Sequence, residues 1–126
     1  MKLLLDTCAF LWLLSGERTF AEGVRARLAA DDVWLSAASV WEMSIKFGKG
    51  ALRLPVPLDR LVPDARRRYG ISPLPIDEES ALHIVKLPRL HADPFDRMLV
   101  SQAIVHGLTI VTPDPLVTQY PARTIW

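Results

Sequence analysis

Cys8 is the only cysteine, so neither an internal disulfide nor an all-cysteine zinc site can staple the 126 residues together. Charge of one sign is missing too: 15 Lys+Arg against 14 Asp+Glu leave +1, which singles out neither a nucleic-acid binder nor an acidic surface. Long apolar runs are absent, and none approaches the ~20 residues of a membrane-spanning helix. Leu3 to Leu14 has the length of a secretory signal core, but Asp6 interrupts it and no small-x-small cleavage site follows. The Leu5-Asp6-Thr7 stretch before Cys8 is equally unlike a lipoprotein signal. These absences predict a protein without a membrane segment, at home in the reducing cytoplasm. What is present is 50% apolar and 23% charged residues, the balance of a globular chain. The length predicts one domain over residues 1–126, burying about two-thirds of its unfolded surface.

Short apolar runs alternate with helical patterns. Leu3–Leu5 and Val33–Leu35 are short and apolar throughout, as expected of strands buried on both faces, and Leu108–Val111 is the clearest strand of all. Between them, helices are predicted from Phe10 to Leu14, Phe20 to Ala30, Ser36 or Ser39 to Phe47, Leu58 to Tyr69 (despite Pro63), Asp77 to Lys86, and Asp93 to His106. Asp93-Pro94 and Asp114-Pro115 each pair a capping residue with proline at the first helical position. Ile71 to Ile76, with two prolines, fits only an edge strand or an extended segment, and Thr124 to Trp126 a last strand. The alternation predicts an α/β three-layer sandwich, a mainly parallel central sheet flanked by helices.

That topology has a geometric consequence for four carboxylates. Asp6 follows the first strand and Asp114 lies just past Leu108–Val111, so both fall at the C-terminal edge of a parallel sheet. Glu42 lies one to two turns into the helix after Val33–Leu35, near the same edge. Asp96 opens a helix of about 13 residues, roughly 20 Å at 1.5 Å per residue, which runs back along its strand. Its start therefore returns to that rim, where open α/β sheets bind ligands. At ~5 Å and an effective dielectric of ~20, each pair of carboxylates repels by roughly 3 kcal/mol, so the group must take up protons or a cation. Oxygen donors without imidazole or thiolate select Mg²⁺ or Mn²⁺, in one or two ions, over zinc. Such a site suits phosphodiester hydrolysis.

Each acid also has an ordinary explanation. Asp6, Asp93 and Asp114 can cap helices, Asp96 suits a helix dipole, and Glu42 can pair with Lys46 one turn on. Helix caps do not, however, explain why all of them collect at one edge. Lys46, Lys49 and Arg97 are candidate RNA or phosphate contacts, and Arg97 could instead pair with a carboxylate. His91 could touch a phosphate, whereas His83 and His106 suit structural roles on helices. Cys8 has no evident base beside it and reads as a small helix-start residue rather than a nucleophile. Phe10, Leu11, Trp12 and Leu13 give the first helix more apolar surface than one core face needs, a candidate surface for a protein partner.

Leu3-Leu4-Leu5-Asp6-Thr7, the Ser36–Glu42 stretch Ser-Ala-Ala-Ser-Val-Trp-Glu, His91–Leu99, and Ile110-Val111-Thr112-Pro113-Asp114 resemble, in order and spacing, the PIN-domain family. With Lys46–Pro55 included, the whole chain looks like the VapC-type toxins of bacterial toxin–antitoxin modules. The resemblance implies a PIN-like sandwich and a Mg²⁺- or Mn²⁺-dependent endoribonuclease, homodimeric and silenced by a small cognate antitoxin. Position by position it implies Asp6, Glu42, Asp96 and Asp114 as catalytic and metal-binding acids. Thr112 matches the small hydroxyl residue that accompanies the fourth acid, with Asp93 as a supporting cap. Cys8, where relatives often carry histidine, and Pro113 depart from the pattern. Two other classes also fit part of the sequence. A phosphoacceptor signalling domain gathers acids around Mg²⁺, but it wants an acidic pair at the first strand and a lysine after the last major one. A catalytically inactive antitoxin-binding or dimerisation module would not need the full acid set.

Overall fold

The computed structural model describes residues 1–16 and 20–126. Five strands form one sheet in the order β3-β2-β1-β4-β5: β1 (Lys2–Leu5), β2 (Asp32–Ser36), β3 (Ile71–Leu74), β4 (Thr109–Val111) and β5 (Thr124–Ile125). Every pairing is parallel, with Leu3 and Leu5 of β1 opposite Val33 and Leu35 on one side and Thr109 and Val111 on the other. Pleating sends alternate residues to opposite faces. Leu3, Leu5, Val33, Leu35 and Val111 pack with Phe10, Met43, Val62 and Ala65 on one side. Leu4 and Ile110 pack with Ala38, Leu99, Val100, Ala103 and Val117 on the other. The all-apolar runs are thus strands covered on both faces, as the sequence predicts.

Among the described residues, seven helices supply the outer layers: α1 (Thr7–Ser15), α2 (Glu22–Ala30), α3 (Ala37–Gly48), α4 (Leu58–Tyr69), α5 (Glu78–His83), α6 (Pro94–His106) and α7 (Pro115–Thr118). The stretch expected as one helix from Asp77 to Lys86 divides into α5 and a 3₁₀ turn at Ile84–Lys86 before Leu87-Pro88. The helix expected from Phe20 begins instead at Glu22, and residues 17–19 lie outside the described part. Pro63 does not break α4. β3, with Pro73, occupies one edge of the sheet, where the missing N–H costs least. No described helix is long and apolar enough to cross a membrane.

The strand order reverses between β1 and β4, so the chain leaves these neighbours towards opposite flanks. This is the switch point beside whose C-terminal ends doubly wound sheets bind their ligands. A buried polar tie braces the adjoining wall. Ser36 Oγ donates to Gln102 Oε1 at 2.6 Å, and Gln102 Nε2 donates to the Pro75 carbonyl at 2.9 Å. β2, α6 and the segment after β3 are thereby locked together.

Candidate active site

Asp6 and Asp114 stand where β1 and β4 end at this switch point, and both cap the next helix. Asp6 Oδ1 accepts from Ala9 N at 2.7 Å, and Asp114 Oδ1 accepts from Leu116 N at 2.9 Å. The capping explanation for these residues is therefore correct as far as it goes. Asp6, however, is only 4% exposed. Its burial, augmented by the charges of Asp96 and Asp114, pushes its carboxyl up to about 6, against hydrogen bonds from Thr112 and Ala9 that pull it down. Thr112 is buried between them: its hydroxyl serves Asp6 and accepts from Asp114 N at 3.0 Å.

Glu42 lies on α3 and is 7% exposed, hardly a surface residue. Its Oε1 accepts from the Thr7 hydroxyl at 2.6 Å and its Oε2 from Lys46 Nζ at 2.9 Å. The i,i+4 pair with Lys46 is real, but only the lysine end is in solvent. Asp96 opens α6 under the Asp93 cap, which accepts from Phe95 N and Asp96 N. Burial raises the Asp96 carboxyl above its ordinary range, a hydrogen bond from His91 opposes this, and the neighbouring charges of Asp93 and Glu42 add to it. The Cys8 thiol is raised by burial and by the charges of Asp6, Glu42 and Asp114, the opposite of what a nucleophile needs.

Sequence topology thus brings the acids to one rim, where they act on one another electrostatically. It does not pack them into a cage. Among the described residues no three His, Cys, Asp or Glu side chains are arranged to hold a metal ion together. The physical reason is that each acid has other employment: Asp6, Asp93 and Asp114 as caps, Glu42 with Thr7 and Lys46, Asp96 with His91. The donor set nonetheless fits a hard divalent cation. Mg²⁺ keeps several waters and is commonly bound through only one or two carboxylates. A carboxyl raised by burial, and further by its neighbours' charge, is the kind of group that a cation relieves.

Sequence reasoning missed what holds Asp96. His91 Nε2 lies 3.0 Å from Asp96 Oδ2, and His91 Nδ1 lies 2.6 Å from the Tyr120 hydroxyl. Arg97 Nη1 donates to that hydroxyl at 3.0 Å. With His91 neutral and Asp96 ionised, the contacts form a relay from Arg97 to Tyr120, from Tyr120 to Nδ1, and from Nε2–H to Asp96. The order His91-Ala92-Asp93 hinted at proximity, but Tyr120, far along the chain, left no signal. Two expectations need correction. Arg97 pairs with no carboxylate among the described residues. It also donates to the Pro88 and Ile84 carbonyls at 2.9 and 3.3 Å, so its fork ties the loop that carries His91. Phe10 offers nothing to a partner, because it is wholly buried in the core. Leu11, Trp12 and Leu13 are half-buried, and Leu11 and Trp12 line a groove of 340 Å³ with Leu52, Leu54 and Leu61. Lys46 and Lys49 do face the site, lining a cavity of 500 Å³ with Glu42, Asp93 and Phe95.

A parallel 3-2-1-4-5 sheet with acids after β1 and β4, within α3 and at the start of α6 defines the class. Residues 3–121 match the PIN domain, and the chain belongs to that family. Within it the chain is of VapC type: it is 31% identical over 105 residues to Ribonuclease VapC16 of Mycobacterium tuberculosis, an alignment covering 66% of this chain and 74% of that protein. Solved structures share the fold. A structure of VapBC2 from Rickettsia felis bound to a promoter DNA fragment superposes with a TM-score of 0.75 at 13% identity, over 99% of this chain and 98% of that one. DNA-bound VapBC from Salmonella typhimurium gives 0.68 at 19% identity, over 99% and 97%. FitAcB from Neisseria gonorrhoeae gives 0.64 at 22% identity, over 98% and 96%.

Proposed function

We propose that this PIN-domain protein is the toxin of a toxin–antitoxin module and a divalent-metal-dependent endoribonuclease. Its activity resides at the rim formed by Asp6, Glu42, Asp96 and Asp114. The observation that carries the reading is the burial of the Asp6 carboxyl at the end of β1, beside the charges of Asp96 and Asp114. Buried carboxylates gathered at the mouth of a doubly wound sheet are costly even with hydrogen-bond partners, and a cation site is the use that offsets the cost.

Asp6 and Asp96 would be the principal holders of Mg²⁺ or Mn²⁺, with Glu42 and Asp114 completing the acidic surround. When bound, the ion supplies an activated water and neutralises charge on the phosphodiester. The chain's own residues set the stage for that chemistry. Thr112 holds the Asp6 and Asp114 loops in register through its hydroxyl. Thr7 and Lys46 fix both oxygens of Glu42, and Lys46 keeps its proton more firmly for that contact, chiefly through the hydrogen bond. His91 fixes the rotamer of Asp96, as outer-sphere partners do for ligating groups. The resulting products, by analogy with the family, carry a 5′-phosphate and a 3′-hydroxyl.

The same reading makes the protein a cytoplasmic homodimer held silent by a small antitoxin. The groove beside Leu11 and Trp12 has the apolar lining that an antitoxin segment would fill. The phosphoacceptor alternative loses ground on the topology. Those signalling domains wind their sheet 2-1-3-4-5, whereas this one runs 3-2-1-4-5 with no lysine between Val111 and Asp114. The deciding experiment incubates purified, antitoxin-free protein with RNA and Mn²⁺. Wild type should cleave and Asp6→Asn, which keeps shape and cap, should not. Undiminished metal-dependent cleavage by the variant would remove the acidic rim from the mechanism.

A further inference from the structure

Trp41 is 57% exposed, although it sits one residue before the buried Glu42. α3 buries Ala38, Ser39, Glu42 and Met43, and the indole lies off that stripe, so the core does not require it. Its ring meets Phe95 in a T-shaped contact, centroids 5.0 Å apart and planes at 80°. Phe95 in turn directly precedes Asp96 at the start of α6. The aromatic pair therefore bridges the two helices that bring Glu42 and Asp96 to the rim. One turn on from Trp41 come Ile45 and then Lys49, both lining the 500 Å³ cavity between α3 and the start of α6. Lys49 makes no ion pair among the described residues. The stripe is aromatic at the acidic end and cationic about 12 Å away at the other, at 1.5 Å per residue.

We propose that Trp41, propped edge-on by Phe95, is a stacking platform for an unpaired base of the RNA substrate next to the scissile phosphate, with Lys49 drawing the flanking backbone along the cavity. The inference rests on the ribonuclease reading and deepens it, by making the substrate single-stranded at that base. Exposed aromatics beside a basic track are how proteins hold single strands, because every base has a π-face and an unstacked one is free to use it. A second copy of this chain suits the surface less well. An interface between copies needs a broad, mostly apolar patch, whereas Trp41 and Phe95 are set among Glu42, Lys46, Lys49, Asp93 and Asp96.

The test compares wild type with Trp41→Ala, Trp41→Leu and Trp41→Phe. Binding of a fluorescent single-stranded RNA 12-mer is read in Ca²⁺ by anisotropy, cleavage kinetics are read in Mn²⁺, and mass in solution is read by sedimentation. Trp41→Ala and Trp41→Leu should weaken binding and raise KM roughly 5- to 150-fold, the range for loss of one stacked base, with kcat little changed. Trp41→Phe should keep most of the affinity. One abasic position in the RNA should weaken wild type by a similar factor and cost Trp41→Ala nothing further. Unchanged KM in a Trp41→Ala protein that still cleaves would overturn the platform and leave the ribonuclease reading intact. RNA binding that depends on Trp41 without cleavage would do the reverse. Neither binding nor cleavage by wild type would overturn both. A change of mass on removing the indole, with RNA affinity retained, would make Trp41 a subunit contact and overturn the platform.

Discussion

Neutralising Asp6 should stabilise the metal-free protein while abolishing its chemistry. The Asp6 carboxyl is 4% exposed and raised from 3.8 to about 6 by burial foremost. A carboxylate raised in the native state is a liability above that value, because the unfolded chain ionises it without cost. Roughly two pKa units at 1.36 kcal/mol each give about 3 kcal/mol of destabilisation at neutral pH. Asn caps a helix as well as Asp does, and imperfect replacement of the Thr112 contact returns about 1 kcal/mol. A net gain of about 2 kcal/mol remains, a rise of roughly 6–10 °C in Tm for a domain of this size. The sign with pH is definite. Wild type recovers stability as pH falls through about 6 toward 4, so the advantage of Asp6→Asn is greatest above neutrality and closes by about pH 4. Calorimetric or denaturant unfolding of both proteins in chelator, between pH 4.5 and 8, measures it. A variant no more stable than wild type at pH 7.5, or a gap that does not narrow on acidification, would refute the reasoning about burial.

His91→Ala should leave the fold intact and lower divalent-ion affinity or cleavage by about 10- to 100-fold, because Asp96 loses its orienting partner; metal-dependent cleavage rates report it, and rates equal to wild type would make the His91 contact incidental. Gln102→Ala should cost about 2–4 kcal/mol without touching the site, since Ser36 Oγ and the Pro75 carbonyl lose a fully buried partner. Urea unfolding with an unchanged m-value is the check. Gln102→Met, near in volume, should recover only the packing part of that loss.

Much of the arrangement was written locally. Leu3–Leu5 and Val33–Leu35 are apolar because both faces of the sheet are covered, and the Asp-Pro pairs at 93–94 and 114–115 mark helix starts that α6 and α7 confirm. Parallel winding then carries Asp6, Asp96 and Asp114 to one edge without any knowledge of side-chain contacts. What lay beyond reach depends on pairs distant in the chain. Tyr120 meeting His91, and Arg97 turning to the Pro88 carbonyl instead of an acid, follow from how the 84–92 segment folds against α6 and Tyr120, which no periodicity records. Glu42 looked like half of a surface ion pair because i,i+4 spacing cannot say which end is buried. The surplus apolar character of α1 was legible, but its division was not: Phe10 fills the core and its neighbours line the grooves. Trp41 did leave a signal, a large aromatic out of phase with the buried stripe and adjacent to an acid.

The claim on which the rest depends is that acids from separate strands and helices together capture a divalent ion. Calorimetric titration of Mn²⁺ into the wild-type protein and into Asp96→Asn at pH 7.5 addresses it directly. Saturable uptake by wild type, weakened at least tenfold in the variant, is the expected result. Wild type that takes up no ion at millimolar Mn²⁺, or a variant that binds as tightly, would contradict it.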